Sequence, residues 1–533
     1  MPGYFPMHDD MQGMRVLQMT KCFEDGQFPC RWVPDMGYGY GYPQFNFYPP
    51  LPYYIMTGIH LAGLSILGSV KIGFILTFFL SALGMYLLGK KMWGKTGGVV
   101  SALFYLFLPY RAVNVYVRGA MGEIWAMAFF PFIFWSLEQY FDTRKRKYLL
   151  FLTISLFGLA TSHLLSVIML IPFLALWVIW RLWQNKQDLG MLITGLSVSG
   201  LLAVGLSSFY TLPAFFEKPY AHFETLIGGY FGFEAHFVGL SQMLWNTYWD
   251  YGSSIHGPND EISFLVGLLQ WTIPLVSLLI GWKFRTKLAN KYTGLIILVL
   301  AGFGYLFLIH PRSIFIWKWF DFLKWLQFPW RFLSLAGFVF SLAGGSIALW
   351  NKKVSLVSFT VLFVPLVMFN LSYFQPESWL EINDADHFAD WDKLQTISIF
   401  DYLPIAADHP PTSPAPDVPW LVSGSGNVIS YEKGTDWQKG EIIVNEAGAL
   451  RLPLFDFPGM SVTLNNRSAE INSDNELGLI TINVPEGRNK LHVRLVNTPI
   501  RTFGNLLSII CFFVLIAVVV KPRLFDNFLY DKK

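Results

Sequence analysis

The chain has 533 residues, of which 53% are hydrophobic and 14% are charged. An average soluble domain carries about 25% charged residues, so this composition excludes an ordinary soluble protein and fits a chain that uses the lipid bilayer as its solvent. The net charge of +3 comes without a basic stripe interleaved with polar residues, so nucleic-acid binding has no support in the sequence.

Apolar segments recur along most of the chain, and a membrane-spanning helix needs about 20 mostly apolar residues. The sequence predicts about eleven spans, so the expected fold is an all-α polytopic membrane protein. The polar break at 161–163 divides the fourth span from the fifth. The spans are predicted at residues 70–89, 96–115, 121–140, 148–161, 163–183, 191–213, 262–282, 291–309, 330–350, 354–372 and 503–521.

Lysine and arginine in the short loops predict the orientation, because such residues stay on the cytoplasmic side. With the spans above, every basic loop falls on one side, which we assign to the cytoplasm: 90–95, 144–147, 181–186, 283–291, 352–353 and 521–533. The predicted localisation is the cytoplasmic membrane, with several passes and a functional face on the extracytoplasmic side. The segments expected on that side are residues 1–69, 211–261, 310–329 and 373–502.

These assignments divide the chain into four regions. Residues 1–69 form an extracytoplasmic first loop, and residues 70–372 form a helical membrane core with an external loop at 211–261. Residues 373–502 form an extracytoplasmic β-rich domain, and residues 503–533 form the last span and a cytoplasmic tail. The β domain is indicated by short alternating segments between turn signals, at 426–432, 440–446, 449–453, 462–464, 479–484 and 490–496.

Two features of the first loop leave alternatives open. Residues 51–68 are apolar and nearly long enough to span, but a span there would move the loop at 90–95 outside, so we interpret them as a helix lying on the membrane surface. The alternative is a true span. Cys22 and Cys30 have a spacing that fits either a local disulfide or two separate thiols, and no CxxC pair indicates a zinc or redox motif.

Polar and aromatic residues concentrate in the first loop. Asp9 and Asp10 are adjacent carboxylates, which persist in a partly buried loop beside a cation, a metal or a shared proton. That property suits a general base, and the alternative is that one of them caps the helix that follows. The candidate substrate-binding residues of this loop are His8, Arg15, Arg31, Trp32, Asp35 and Tyr48.

A second polar group lies in the short external loop between the spans at 96–115 and 121–140. Arg118 is suited to holding a phosphate. Glu123 is a further catalytic candidate, although the helix dipole alone favours a glutamate at a helix start. His163, at the break between two spans, either lines a cavity or forms a turn.

The residues of the first loop resemble a known family. The stretch His8-Asp9-Asp10 through Arg31-Trp32 to Phe47-Tyr48-Pro-Pro-Leu-Pro-Tyr-Tyr54, with the segments at 116–123 and 497–501, is similar to bacterial membrane proteins labelled 6-pyruvoyl-tetrahydropterin synthase-related. That family in turn resembles the GT-C glycosyltransferases, which include protein O-mannosyltransferases and aminoarabinose transferases. In those enzymes an acidic residue of the first external loop acts in catalysis. Their loop follows a first transmembrane helix, so we expect such a helix to precede the present start.

The resemblance implies a GT-C glycosyltransferase that moves a hexose or pentose from a polyprenyl-phosphate donor to a cell-envelope acceptor on the extracytoplasmic face. The expected partners are membrane lipid, the lipid-linked sugar and the acceptor. Mg²⁺ or Mn²⁺ is a candidate cofactor, because hard oxygen ligands are present. The alternatives are a non-catalytic carrier or flippase, or an assembly scaffold for lipid-linked cell-envelope intermediates. A carrier should hold ionisable residues near the bilayer midplane, and the predicted spans are nearly free of them.

Overall fold

The computed structural model describes residues 3–255, 259–349 and 363–520. Over these residues the chain is mostly helical, with one small antiparallel sheet near the C-terminal end. A helical membrane domain is thereby confirmed, whereas the predicted count of eleven spans is not. Six described helices are long and apolar enough to cross a membrane: Ile66–Leu106, Leu164–Gln184, Lys186–Phe216, Ala289–Ile309, Pro329–Leu349 and Pro499–Val520.

The other predicted spans correspond to helices that are shorter, less apolar or only partly described. Met121–Thr143 is a helix of 23 residues where the span at 121–140 was predicted. The span predicted at 354–372 lies partly outside the described residues, as do the basic residues at 352–353 and 521–533. Three shorter apolar helices are Lys147–Ser162, Leu268–Phe284 and Phe363–Tyr373. The small helices are Gln12–Glu24, Gln44–Phe47, Leu51–Leu61, Pro109–Ala112, Leu240–Leu244, Ile314–Trp319, Asp384–His387 and Trp391–Thr396.

The longest helical segment, Ile66–Leu106, turns back on itself at Gly94, where φ is 86° and ψ is 177°. A Cβ placed on Gly98 would lie 2.8 Å from the backbone oxygen of Tyr86. In a straight helix residues 86 and 98 would be about 18 Å apart, so the two arms run antiparallel. The spans predicted at 70–89 and 96–115 therefore correspond to the arms of one hairpin, whose second arm ends at Leu106.

Three of the basic loops that the structure describes lie at one end of the helical domain. Asp142 lies 2.6 Å from Lys91 Nζ and 2.6 Å from Arg181 Nη2. The loops at 90–95 and 181–186 therefore meet, and Asp142 itself lies just before the third basic loop. This clustering agrees with the placement of these loops on one side of the membrane.

The first loop is built around small helices and a disulfide. Leu51–Leu61 has 11 residues, and a helix of that length is about 16 Å long, too short for a hydrocarbon core of about 30 Å. This length favours the surface-helix interpretation over a true span. Cys22 and Cys30 form a disulfide, so the bridged alternative is the one adopted, while Cys511 is free and buried.

The β-rich region has six strands: β1 (Trp420–Lys433), β2 (Trp437–Phe455), β3 (Met460–Leu464), β4 (Arg467–Ser468), β5 (Leu479–Val484) and β6 (Gly487–Leu495). They form one antiparallel sheet in the order β1-β2-β6-β3-β4, and β5 pairs with β2 off this path. The strands predicted at 440–446 and 449–453 are a single strand, β2, whose first half pairs with β6 and whose second half pairs with β5. Trp32 of the first loop packs on Phe457, with 5.6 Å between ring centroids, and so attaches the sheet to the loop.

Candidate functional site

The opening loop of the chain lies directly against the short loop that follows the helical hairpin. The backbone N–H of Asp9 donates a hydrogen bond to the carbonyl of Arg118 at 3.0 Å. The side-chain amide of Gln12 donates to the carbonyl of Gly119 at 2.9 Å. The two polar groups that the sequence predicts separately therefore form one continuous site.

Gly119 allows this close approach. Its φ is 65°, in the left-handed region that glycine adopts without steric cost. A Cβ at this position would lie 2.3 Å from Met7 Sδ and 3.0 Å from Met7 Cβ. A larger residue would therefore push the opening loop away from the second loop.

Arg15 is at the centre of the first half of the site. Its side chain is 3% exposed, and Nη1 donates to Asp9 Oδ2 at 3.0 Å and to the hydroxyls of Tyr48 and Tyr53 at 3.2 and 3.3 Å. The guanidinium carbon lies 3.9 Å from the centroid of the Tyr48 ring. The Asp9 side chain remains 32% exposed, so it is anchored by a buried cation and still reaches solvent.

Asp10 has a different environment from Asp9. It accepts a hydrogen bond of 2.8 Å from the Tyr4 hydroxyl. Burial raises the pKa of Asp10 to about 6, although the Tyr4 hydrogen bond acts in the opposite direction. Neither carboxylate caps the helix Gln12–Glu24, whose N-cap is Met11 with no side-chain capping bond. The capping alternative is therefore not adopted.

The second half of the site is organised around Glu123, whose side chain is 2% exposed. It accepts hydrogen bonds from Arg118 Nη1 at 2.8 Å and from the Tyr110 hydroxyl at 2.7 Å, and Arg331 Nε is 4.0 Å away. The guanidinium of Arg118 also lies 4.6 Å from the ring centroid of Trp330. One carboxylate faces two guanidinium groups here, so this part of the site carries an excess of positive charge.

Two of the predicted substrate-binding residues contact other parts of the protein. Arg31 Nη2 donates to the carbonyl of Phe209 at 2.8 Å and to the side chain of Asn505 at 2.9 Å, which ties the first loop to two helices. Trp32 is buried against Phe457 of the β domain. These contacts anchor the loop and do not involve Asp9.

Asp35 and His163 also make local contacts. The Asp35 carboxylate lies 2.7 Å from Lys21 Nζ, on the side of the helix Gln12–Glu24 that approaches the β domain. His163 is the N-cap of Leu164–Gln184, and its Nδ1 lies 2.7 Å from the Ser166 hydroxyl. His163 therefore lies at the turn between two helices, in agreement with the alternative that it forms a turn.

His8 connects the opening loop to the long loop predicted at 211–261. Its side chain is exposed, and Nε2 lies 2.8 Å from the carbonyl oxygen of Tyr251. His8 is therefore at the rim of the site, next to Asp9 in the chain.

The sequence analysis missed Asp401. The segment that carries it is held by Tyr42, whose hydroxyl accepts a hydrogen bond of 2.7 Å from the backbone N–H of Tyr402. Asp401 is near enough to Arg15 and Asp9 to interact with both charges, and burial raises the pKa of Asp401 to about 6. No motif surrounds this residue, and only the folded chain brings it to the first loop.

A buried ion pair missed in the same way joins the first loop to the last helix. Glu217 accepts from Arg501 Nε at 2.9 Å, from Asn46 Nδ2 at 2.9 Å and from the Thr498 hydroxyl at 2.5 Å. The side chains of Glu217 and Arg501 are 3% and 1% exposed. This pair fixes the base of the first loop on the helical domain.

Within residues 3–255, 259–349 and 363–520, no group of three or more His, Cys, Asp or Glu side chains is arranged to hold a metal ion. The expected Mg²⁺ or Mn²⁺ stays a prediction, because Mg²⁺ is also bound by one or two carboxylates together with substrate phosphates. The basic side chains of the site are Arg15, Arg118 and Arg331.

Comparison with known proteins identifies the class to which the chain is similar. Residues 45–226 match the family model described as the 6-pyruvoyl-tetrahydropterin synthase related domain, a membrane protein. The predicted resemblance to this family is confirmed over that stretch, which contains Tyr48, Arg118, Glu123 and His163. The several apolar helices and this match define a multi-pass membrane protein.

One curated relative is an uncharacterized protein of Lactococcus lactis subsp. cremoris (strain MG1363), which is 26% identical over 208 residues. The alignment covers 37% of this chain and 34% of the relative, so the chain matches about a third of the relative's length. The relative's description names no activity.

Proposed function

We propose that the chain is an integral membrane glycosyltransferase of the GT-C type. It transfers a sugar from a polyprenyl-phosphate donor to a cell-envelope acceptor on the extracytoplasmic face of the cytoplasmic membrane. The observation that carries the proposal is the direct contact between the Asp9 loop and the Arg118 loop. It brings a solvent-reaching carboxylate next to a surplus of guanidinium charge, which is what sugar transfer from a lipid phosphate requires.

The positions of the helices support the extracytoplasmic orientation. The first arm of the hairpin begins at Ile66, whose N–H donates to the Asp384 carboxylate at 2.7 Å, beside the opening loop and the segment that precedes the β domain. The same arm ends at Gly94, within the basic loop at 90–95. The opening loop and the basic loop therefore lie at opposite ends of one helix. Since basic loops stay in the cytoplasm, this geometry supports an external site.

The carboxylates of the opening loop supply the base in the proposed reaction. Asp9 or Asp10 takes the proton from an acceptor hydroxyl, whose oxygen forms a bond to the anomeric carbon. The bond from that carbon to the phosphate oxygen breaks, and the lipid phosphate leaves with the electron pair. Attack opposite the leaving group inverts the configuration at the anomeric carbon.

The arginines stabilise the charge that develops on the leaving phosphate. Arg118 is the principal candidate, because two guanidinium groups share the single carboxylate of Glu123. Arg15 contributes from the side of Asp9. In this scheme Glu123 is a positioning residue, since it is buried and already accepts hydrogen bonds from Arg118 and Tyr110. Arg31, with its partners in two helices, holds the loop in place.

The test uses the full chain reconstituted in vesicles with polyprenyl-phosphate sugars labelled in the sugar, together with a cell-envelope extract. The expected result is release of polyprenyl phosphate and transfer of label, both abolished by Asp9→Asn with Asp10→Asn. Asp417→Asn, at an exposed carboxylate, is the matched control and should keep activity. A carrier would move the lipid across the bilayer without cleaving it, and a scaffold would do neither. Full transfer by the double variant would refute the assignment.

A further inference from the structure

Arg111 is a buried arginine for which the proposed transfer has no use. It lies in the short helix Pro109–Ala112, just after the second arm of the hairpin ends, and its side chain is fully buried. Nε donates to the carbonyl of Tyr105 at 3.2 Å. Nη1 and Nη2 have no hydrogen-bond partner among residues 3–255, 259–349 and 363–520.

The backbone carbonyls near Arg111 already accept hydrogen bonds from other side chains. The side-chain amide of Gln270 donates to the carbonyls of Phe104 and Phe107 at 3.2 Å each. Asn370 also donates to the Phe107 carbonyl, at 2.9 Å. These amides satisfy acceptors that the end of the helix leaves open. The remaining N–H groups of Arg111 are therefore available to a ligand.

Aromatic rings surround the guanidinium of Arg111. Its carbon lies 5.4 Å from the ring centroid of Phe78 and 4.8 Å from that of Tyr105. The ring of Phe374 packs on this aromatic group, with its centroid 6.3 Å from that of Phe78 and 5.7 Å from that of Phe107. Ring faces stabilise a cation only modestly, and a buried guanidinium without an anion carries a large desolvation cost.

The surface outside these rings is apolar. Ile75 and Phe79, on the same helix as Phe78, are exposed in the isolated chain, and so is Met368 on the helix that precedes Phe374. Such a surface on a membrane-spanning helix faces acyl chains. An anion that reaches Arg111 from this side must therefore be attached to a lipid.

We propose that Arg111 binds the phosphate group of an anionic membrane lipid, which enters from the bilayer when the Phe374 ring moves aside. The two free NH₂ groups of a planar guanidinium match two oxygens of one phosphate, the pairing that arginine forms most strongly. This site is distinct from the one that contains Arg118. It does not rest on sugar transfer, so its failure and the failure of the proposed function are distinguishable.

The test measures lipid binding to the full chain purified in detergent, by native mass spectrometry and by thermal unfolding. The ligands are phosphatidylglycerol, diacylglycerol, which lacks phosphate, and inorganic phosphate. Phosphatidylglycerol should bind and raise the Tm of the wild-type chain. Arg111→Met should weaken that binding about tenfold or more, as expected when a charge-assisted pair is lost. Arg312→Met, at an exposed arginine, is the matched control and should bind like the wild type.

We expect the Arg111→Met chain to fold, because replacing buried charged groups with apolar side chains of similar volume is often neutral or stabilising. Unchanged phosphatidylglycerol binding by this variant would overturn the proposal. An equal response to diacylglycerol would overturn phosphate recognition, and an equal response to inorganic phosphate would overturn the lipid source. Phe374→Trp, with Arg111 intact, should slow phosphatidylglycerol binding, and an unchanged rate would refute entry past this ring.

Discussion

Replacing Gly119 with alanine tests the contact between the two loops of the site. A non-glycine residue in the left-handed region costs about 1–2 kcal/mol, and Gly119 has a φ of 65°. The new Cβ would also lie 2.3 Å from Met7 Sδ and 3.0 Å from Met7 Cβ, an overlap that costs about 1–3 kcal/mol more. We therefore expect Gly119→Ala to lower the free energy of unfolding by about 2–5 kcal/mol in total. It should also reduce transfer, because Asp9 is displaced from Arg118.

The matched control is Gly26→Ala. Gly26 has a φ of 78°, but a Cβ placed there would have no atom within 4 Å. Gly26→Ala should lower the free energy of unfolding only by the backbone cost of about 1–2 kcal/mol, and it should retain transfer. Chemical denaturation of the purified chain measures the two free energies, and the vesicle assay measures the two activities. Equal destabilisation together with equal transfer would show that the Met7–Gly119 contact does not hold the loops together.

Four further results are expected. Glu123→Gln should lower the free energy of unfolding by about 3–5 kcal/mol, because two buried guanidinium groups lose their carboxylate. Glu217→Gln should cost a similar amount, and Glu217→Leu combined with Arg501→Met should recover most of the loss. Transfer should rise between about pH 5 and 7, because burial raises the pKa of Asp10, a candidate base that must be ionised, to about 6, and raises the pKa of the neighbouring Asp401 to the same value. The same raised pKa values predict a stability contribution that is present below about pH 4 and lost as the pH rises through about 6.

The first three of these results each have a check. Glu381→Gln, at an exposed glutamate, should leave unfolding unchanged, and a loss equal to that of Glu123→Gln would mean that the carboxylate does not neutralise the arginines. Additive losses in the Glu217–Arg501 double variant would argue against a coupled pair. A pH profile of transfer that is the same in Asp10→Asn, in Asp401→Asn and in the wild type would exclude both carboxyls from the titration.

The helical domain and much of the sheet could be predicted because their signals are local. Runs of apolar residues identified the long helices, the basic residues between 90 and 95 predicted the turn of the hairpin, and the strand Leu479–Val484 has the predicted bounds. The two halves of β2 were predicted as separate strands, because the residues near Gly448 resemble a turn and only the pairing with β5 and β6 keeps them in one strand.

The arrangement of the site depends on contacts between distant segments, which a single sequence does not reveal. Arg15 and Arg31 are equivalent candidates in one loop, and only the fold shows that Arg15 pairs with Asp9 while Arg31 bonds to two helices. Asp401 is almost 400 residues away from Asp9 in the chain. It reaches the same cluster beside the hydrogen bond from the Tyr402 N–H to the Tyr42 hydroxyl, which no local sequence pattern predicts. Asp9 and Asp10, and the pair Arg118 and Glu123, could be predicted as site residues because the charged side chains of each group lie within a few residues of one another in the sequence.

The compartment that the Asp9–Arg118 site faces is the central claim, and chemical labelling of intact cells tests it most directly. His8→Cys places a thiol on an exposed residue at the rim of the site, in a chain that carries Cys511→Ser and whose other two cysteines are joined in the disulfide. A membrane-impermeant maleimide should label this thiol without permeabilisation, whereas Lys145→Cys, in an exposed basic loop, should be labelled only after it. Labelling of His8→Cys only in permeabilised cells would contradict an extracytoplasmic site and the proposed transfer with it.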